Sequence, residues 1–249
     1  MAGHSHWANI KHKKAANDAK RGKVWTKLVK AIMVAAKHGG GDPGGNVSLR
    51  FAIIEAKAAN VPKDTIERAI KKGAGEFGAD SYETIRYEGY GPGGVAIIID
   101  ALTNNRVRTA PDLRVILSKY GGNLGATGCV SHVFEQKGVI AIEESAVSED
   151  RLMEIALEAG AADVTHEDGA WIVTTAPQDF AKVKEALDAA GIEAASAEVT
   201  MDPNTTVAVS GETLAKVEKM IDALEDNDDV QKVYSNHEAE AGAPAPARK

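Results

Sequence analysis

The residues best placed to do chemistry in this sequence are cations. From Lys20 onward, Lys23, Lys27, Lys30 and Lys37 recur at three-, four- and seven-residue spacings, and Trp25, Leu28, Val29, Ile32 and Ala36 fall between them. At the 3.6-residue helical period this gives a lysine stripe about 100° wide opposite an apolar stripe. Upstream, Lys11, His12, Lys13 and Lys14 form a second cluster that continues through Lys20 and Arg21. Lysines this dense repel one another, and few acids stand nearby in sequence. Phosphates would relieve the repulsion, with release of condensed counterions as the driving term. A solvated helix face is the plainer alternative. The nucleic-acid reading is preferred because residues 1–75 carry a net +10, whereas the remainder carries −17. The overall charge of −7 hides this segregation.

Other candidates are weaker. Trp7, within His4-Ser5-His6-Trp7-Ala8-Asn9, would stack on a base or ribose, or would pin the N-terminus onto a helical core. His4, His6 and His12 lack a nearby carboxylate or thiolate, so hydrogen bonding suits them better than a metal. Gly89-Tyr90-Gly91-Pro92-Gly93-Gly94 has dinucleotide-loop spacing but runs into the strand-like Val95–Ile99, where that loop must open a helix. A hairpin turn fits it better. Asn104-Asn105-Arg106-Val107-Arg108-Thr109 stands between a buried strand and a helix. Arg106 and Arg108 there would fork onto phosphate, or an asparagine would simply cap the helix; binding is slightly favoured. Asp226, Asp228 and Asp229 read as an acidic turn ending a helix rather than as a cation site. Cys129 stands alone, and no nucleophile elbow or His-Glu-x-x-His helix occurs, so a non-enzyme without cofactor or metal is expected.

The positioning elements follow from period and punctuation. Residues 1–80 read as a basic domain of three helices: Lys23 to about Lys37, Asn46 to Ala59, and Pro62 or Lys63 to Gly73. Its expected core is Trp25, Leu28, Ile32, Phe51, Ile54, Ile66 and Ile70. Beyond Tyr82 strands are expected at 83–88, 95–101 and 130–134, with a helix over 109–120. A Lys137-Gly138 turn then opens a β-α-β-β-α-β series: strand 138–143, helix 149–159, strands 162–167 and 170–175, helix 178–190 and strand 194–200. Strand 206–209, helix 212–225 and strand 230–235 remain. The fold class is therefore α+β: an N-terminal three-helix domain, then two α+β domains, one ferredoxin-like (136–204) and inserted into the other (81–135 plus 205–238). A disordered tail is expected from Ala239 to residue 249. With no apolar stretch long enough to span a bilayer and no secretory core after Met1, a cytoplasmic protein is expected.

These residues also resemble a known family. Met1–Lys14, Asp18–Lys23, Gly39–Pro43, Val61–Ile70, Tyr87–Gly94 and Gly121–Gly125 are similar to segments of the YebC family, over about residues 1–236. His6 stands where that family commonly has lysine, and Trp25 where phenylalanine is usual. The resemblance implies three domains and gene regulation without catalysis. Bacterial members are described as DNA-binding transcriptional regulators. Mitochondrial members activate translation, and some bacterial members are ribosome-associated factors that relieve stalling on proline-rich stretches. The implied partner is thus DNA or rRNA, in the latter case with the large ribosomal subunit. No basic zipper, zinc finger or clear helix-turn-helix supplies base readout, so backbone-dominated contact is expected.

Overall fold

A computed structural model describes residues 21–75 and 82–240, apart from the side chain of Arg21. The first described part holds α1 (Arg21–Gly39), α2 (Val47–Ala58) and α3 (Lys63–Gly73). Asn46 fixes the α1–α2 corner. Its side chain caps α2 by accepting from the Leu49 N–H at 3.0 Å, and its amide donates to Ala35 O and Gly40 O at 2.8 Å each. The helices close over Ile32, Ala36, Leu49, Ala56, Val61 and Ile66. Trp25 lies against this core with Nε1 donating to Ala59 O at 2.9 Å. Gly73 must be glycine, because a Cβ there would stand 2.3 Å from Met33 O. Two expected core residues lie elsewhere: Ile54 is exposed, and Phe51 packs on Phe180, with ring centroids 5.5 Å apart.

The second part begins with the hairpin β1 (Glu83–Tyr90) and β2 (Ala96–Thr103), paired from Glu83↔Thr103 to Tyr90↔Ala96. Gly91–Val95 is its turn, with Gly89 and Tyr90 still paired in β1, as the strand-following sequence requires. After β2 come α4 (Arg106–Lys119) and the short β3 (Asn123–Leu124). The helix starts three residues before the expected Thr109 because Asn105 caps it, accepting from the Arg108 N–H at 3.2 Å. Next are β4 (Phe134–Glu143), α5 (Glu149–Ala159), β5 (Asp163–Glu167), β6 (Ala170–Thr175), α6 (Phe180–Ala189) and β7 (Ser196–Pro203). The chain ends with β8 (Val207–Val209), α7 (Gly211–Glu225), β9 (Val230–Ser235) and β10 (His237–Ala239).

One sheet has the order β3-β1-β2-β9, so strands on either side of the β4–β7 segment pair directly, Ile97↔Ser235 to Ala101↔Val230. The β4–β7 sheet has the ferredoxin-like order β5-β6-β4-β7. Its core joins Ile140, Ile142 and Val173 to Leu152 of α5 and Val183 and Leu187 of α6. The β5–β6 hairpin turns on Asp168 and Gly169, both at positive φ, the type I′ pattern.

Several boundaries differ from expectation, each for a physical reason. Residues 131–133 form a 3-10 turn, and the expected 130–134 strand is absent. Lys137-Gly138 is no turn, since both lie inside β4, opposite Thr200 and Val199. Gly138 is there because a Cβ would approach Thr175 Oγ1 to 2.2 Å and Phe180 to 2.7 Å. Its signal was close packing, which a sequence shows in the same letter as a turn. Ala239, expected to open the tail, pairs with Val209 in a parallel β8–β10 ladder; residues 241–249 lie outside the described ones.

Candidate nucleic-acid interface

The stripe of α1 is where sequence and structure part. Lys23 Nζ donates to Asp226 O at 3.3 Å and lies 3.7 Å from Asp226 Oδ1. Lys27 Nζ donates to Glu225 O. Lys30 Nζ donates to Asp228 O at 2.8 Å, lies 3.8 Å from Asp229 Oδ1, and stands 5.7 Å from the centre of the Tyr82 ring. The stripe therefore sits on the C-terminal end of α7. The last carbonyls of a helix have no intrahelical partner and carry the negative end of its dipole, so ammonium groups are their natural caps. The expectation that phosphates relieve these lysines, few acids being nearby in sequence, is thus corrected for Lys23, Lys27 and Lys30, which the end of α7 relieves. The acceptors lie about 200 residues away along the chain, beyond any local reading. Burial lowers the Lys27 pKa and prevails over the opposing charges of Glu225, Asp226 and Asp228.

The same acidic turn meets the second predicted group. Asp229 is buried. Its Oδ2 accepts from Arg108 Nη2 at 2.7 Å, Thr109 Oγ1 at 2.9 Å and Thr103 Oγ1 at 3.1 Å. Burial alone would raise the Asp229 pKa; the Arg108 and Thr109 hydrogen bonds, the Arg108 charge and the Thr103 hydroxyl outweigh it and hold it below the usual carboxylate range. Arg108 is therefore a structural partner of Asp229 as well as a surface cation. Arg106, in the first turn of α4, is exposed and has no hydrogen bond or ion pair among the described residues.

Lys37 is exposed in the last turn of α1, beside His38. Because Gly73 packs on Met33 and Ala36, and Gly41 on Ile70 and Ala74, the last turns of α1 and α3 share one end of the helical unit. That end presents Lys37, His38 and Lys71, with Lys72 half-buried. Trp7, Lys11, His12, Lys13, Lys14 and Lys20 lie outside the described residues. Arg21 opens α1.

Two structural anchors gave no sequence signal. Lys232 on β9 reaches Glu55 of α2 at 3.2 Å and Glu198 of β7 at 3.1 Å, tying all three parts together. Burial would lower its pKa, but the two carboxylates prevail and raise it. Lys232→Met is expected to lower stability by about 1–3 kcal/mol, since it leaves Glu55 and Glu198 facing each other without their cation. A thermal melt of the purified variant reads this directly. Glu88, buried on β1, gathers four donors from the segment 128–131: Gly128 N at 2.9 Å, Val130 N at 2.8 Å, Ser131 N at 3.0 Å and Ser131 Oγ at 2.8 Å. Among the described residues no group of three or more His, Cys, Asp or Glu side chains could hold a metal ion, and no helix is long and apolar enough to cross a membrane.

Fold and junction together define an α+β protein with a cation-rich helical module clamped onto two sheet units. The chain belongs to the TACO1/YebC family: its N-terminal domain model matches residues 5–76, and the model of its second and third domains matches residues 82–237. A "probable transcriptional regulatory protein" of Treponema denticola is 57% identical over 99% of this chain and 100% of its own length. Another, of Desulforamulus reducens, is 54% identical over 96% and 100%. The crystal structure of a conserved hypothetical protein from Aquifex aeolicus superposes with a TM-score of 0.85 at 48% identity, covering 98% of this chain and 100% of that one.

Proposed function

We propose that this chain is a non-enzymatic, nucleic-acid-binding regulator of gene expression that acts on DNA as a transcriptional regulator. The observation that carries the reading is the segregation of charge, +10 over residues 1–75 against −17 over the rest. The printed names of the relatives point the same way. Phosphate contact is assigned to Lys11, His12, Lys13, Lys14, Lys20 and Arg21, to Lys37 with its neighbour Lys71, and to Arg106. Lys23, Lys27 and Lys30 are assigned to holding the helical module on the end of α7, and Arg108 to fixing the Asp229 carboxylate beside that end. Three modules, a cytoplasmic location and the absence of a cofactor belong to the same reading.

A second target, ribosomal RNA on the large subunit, is accommodated by one observation. The helix with the cationic stripe is held against α7, which leaves phosphate contact rather than insertion of that face into a groove. Backbone contact of this kind suits folded rRNA as well as duplex DNA.

The test is binding of duplex DNA and of an rRNA fragment across a salt series. Reversing Lys11, Lys13 and Lys14 to Glu is expected to weaken binding and to make the log-affinity against log-salt slope shallower by about 2–3 units. Unchanged affinity and slope would remove the assignment. Sedimentation of lysate with and without ribonuclease separates the targets: co-migration with the large subunit selects rRNA, and enrichment on DNA alone selects transcription.

A further inference from the structure

Six large hydrophobic side chains are exposed among the described residues, and four of them fall on two helices at helical spacing. On α4, Val107 is 80% and Val115 68% exposed. With the exposed Pro111 between them they form an i, i+4, i+8 ridge along the helix face turned away from Leu113 and Leu117. Arg114 borders the ridge on one side, Arg108 and Lys119 on the other; Asp112 is the single acid in the helix. On α5, Met153 is 37% and Leu157 48% exposed, an i, i+4 pair. Glu149 borders it on one side, Asp150 and Glu154 on the other, with Glu158 beyond. Arg151, the single cation of α5, is turned to the Ala190 carbonyl at 3.2 Å. Arg114, Glu149, Asp150 and Glu154 have no ion pair among the described residues.

We propose that these two faces are the halves of one self-association contact, in which α4 of one copy docks on α5 of a second copy. The ridges match in spacing and apolar character, and the charges bordering them are opposite, which is what sets register and rejects wrong partners in an interface. Like-with-like pairing, α4 on α4 or α5 on α5, would set several cations or four carboxylates, respectively, against their own kind. Isolated exposed apolar residues need no explanation; two ridges with complementary charged borders are a different case. Two helix faces cover less than the area of a standard stable interface, so the contact is weak and concentration-dependent, and it weakens further with salt. It uses neither the N-terminal cations nor Arg106, and it stands independently of the nucleic-acid reading.

The experiment is sedimentation equilibrium of the full chain after nuclease treatment, so that no polyanion bridges copies. In low salt the weight-average mass is expected to rise above the 26.2 kDa of one chain as concentration increases, and to return to it near about 0.5 M salt. Arg114→Glu and Glu154→Lys, each at an exposed position, are each expected to weaken association about tenfold. The double variant, with both charges exchanged, restores it. Val115→Ser weakens it without changing charge. Circular dichroism of each variant confirms the fold. A chain that stays monomeric at every concentration overturns the proposal and leaves these faces to a different partner. Association that survives both single reversals, or that the double variant does not restore, overturns it equally.

Discussion

Glu88→Ala is expected to cost about 3 kcal/mol of stability, and Glu88→Gln about 1–2 kcal/mol, although nothing in the sequence marks this residue as important. The reason is the number of donors converging on one buried carboxylate, three backbone N–H groups and a hydroxyl. Alanine orphans all four. Glutamine keeps one acceptor oxygen and turns an amide nitrogen, itself a donor, toward the rest. Its least damaging orientation places that nitrogen at the Gly128 and Ser131 Oγ end, where the hydroxyl can rotate to accept and one N–H is left without a partner. The pH dependence is a second signature. Burial pushes the Glu88 pKa up, but the hydrogen bonds from Val130, Ser131 and Gly128 prevail and hold it below the usual range. A depressed carboxyl contributes stability above its unfolded pKa of about 4.3 and loses it as pH falls through the lower folded value. The gap between wild type and Glu88→Gln therefore narrows on acidification below about pH 4.3. Denaturant unfolding between pH 7 and pH 3 measures it, and a gap that stays constant would show that the carboxylate charge plays no part.

Reversal of Lys23, Lys27 and Lys30 to Glu is expected to release α1 from the end of α7. Three ammonium groups that cap carbonyls would become three carboxylates facing the same carbonyls and the carboxylates of Asp226 and Asp229. Like charges set against one another in an interface cost several kcal/mol. Hydrogen exchange reports the result locally: amides of Arg21–Gly39 and of the turn after Glu225 exchange at least about tenfold faster, which corresponds to a local loss of roughly 1.4 kcal/mol or more. Reversal of Lys11, Lys13 and Lys14 leaves that exchange pattern untouched while weakening polyanion binding. The two triple variants thus separate cations that hold the modules together from cations assigned to phosphate. Unaltered exchange in the first would mean that packing alone seats α1.

Most of the element order was legible because it rests on local signals. Asn46 and Asn105 cap helices, Asp168-Gly169 turns a hairpin, and Val95–Ile99 is apolar enough to be buried on both faces. The errors came where one residue type serves two ends. Gly138 looked like a turn and is a point of close approach. Lys23, Lys27 and Lys30 looked like a phosphate-facing stripe and are caps for a helix end near residue 226. Helical periodicity found the stripe correctly; what the stripe faces depends on tertiary contact. Asp229 was visible only as part of an acidic turn, since its partners Thr103, Thr109 and Arg108 are more than a hundred residues distant. Glu88 shares strand parity with exposed Thr84 and Arg86, so alternation places it on a wet face. Only the covering segment 128–131 makes it buried.

The ferredoxin-like segment leaves the chain where it joined it. Val133 O accepts from Asn204 N at 2.8 Å, and Phe134 pairs with Pro203 in the first rung beyond. To the flanking polypeptide, roughly 70 intervening residues are thus equivalent to a tight loop once they have folded, because loop-closure entropy depends on the free length spanned. The β2–β9 ladder, which would otherwise have to form across a very long excursion, then needs to close only the short remainder. Early folding of the excursion shortens the search for its host, and a lesion that slows the one would retard the other although each has its own main core.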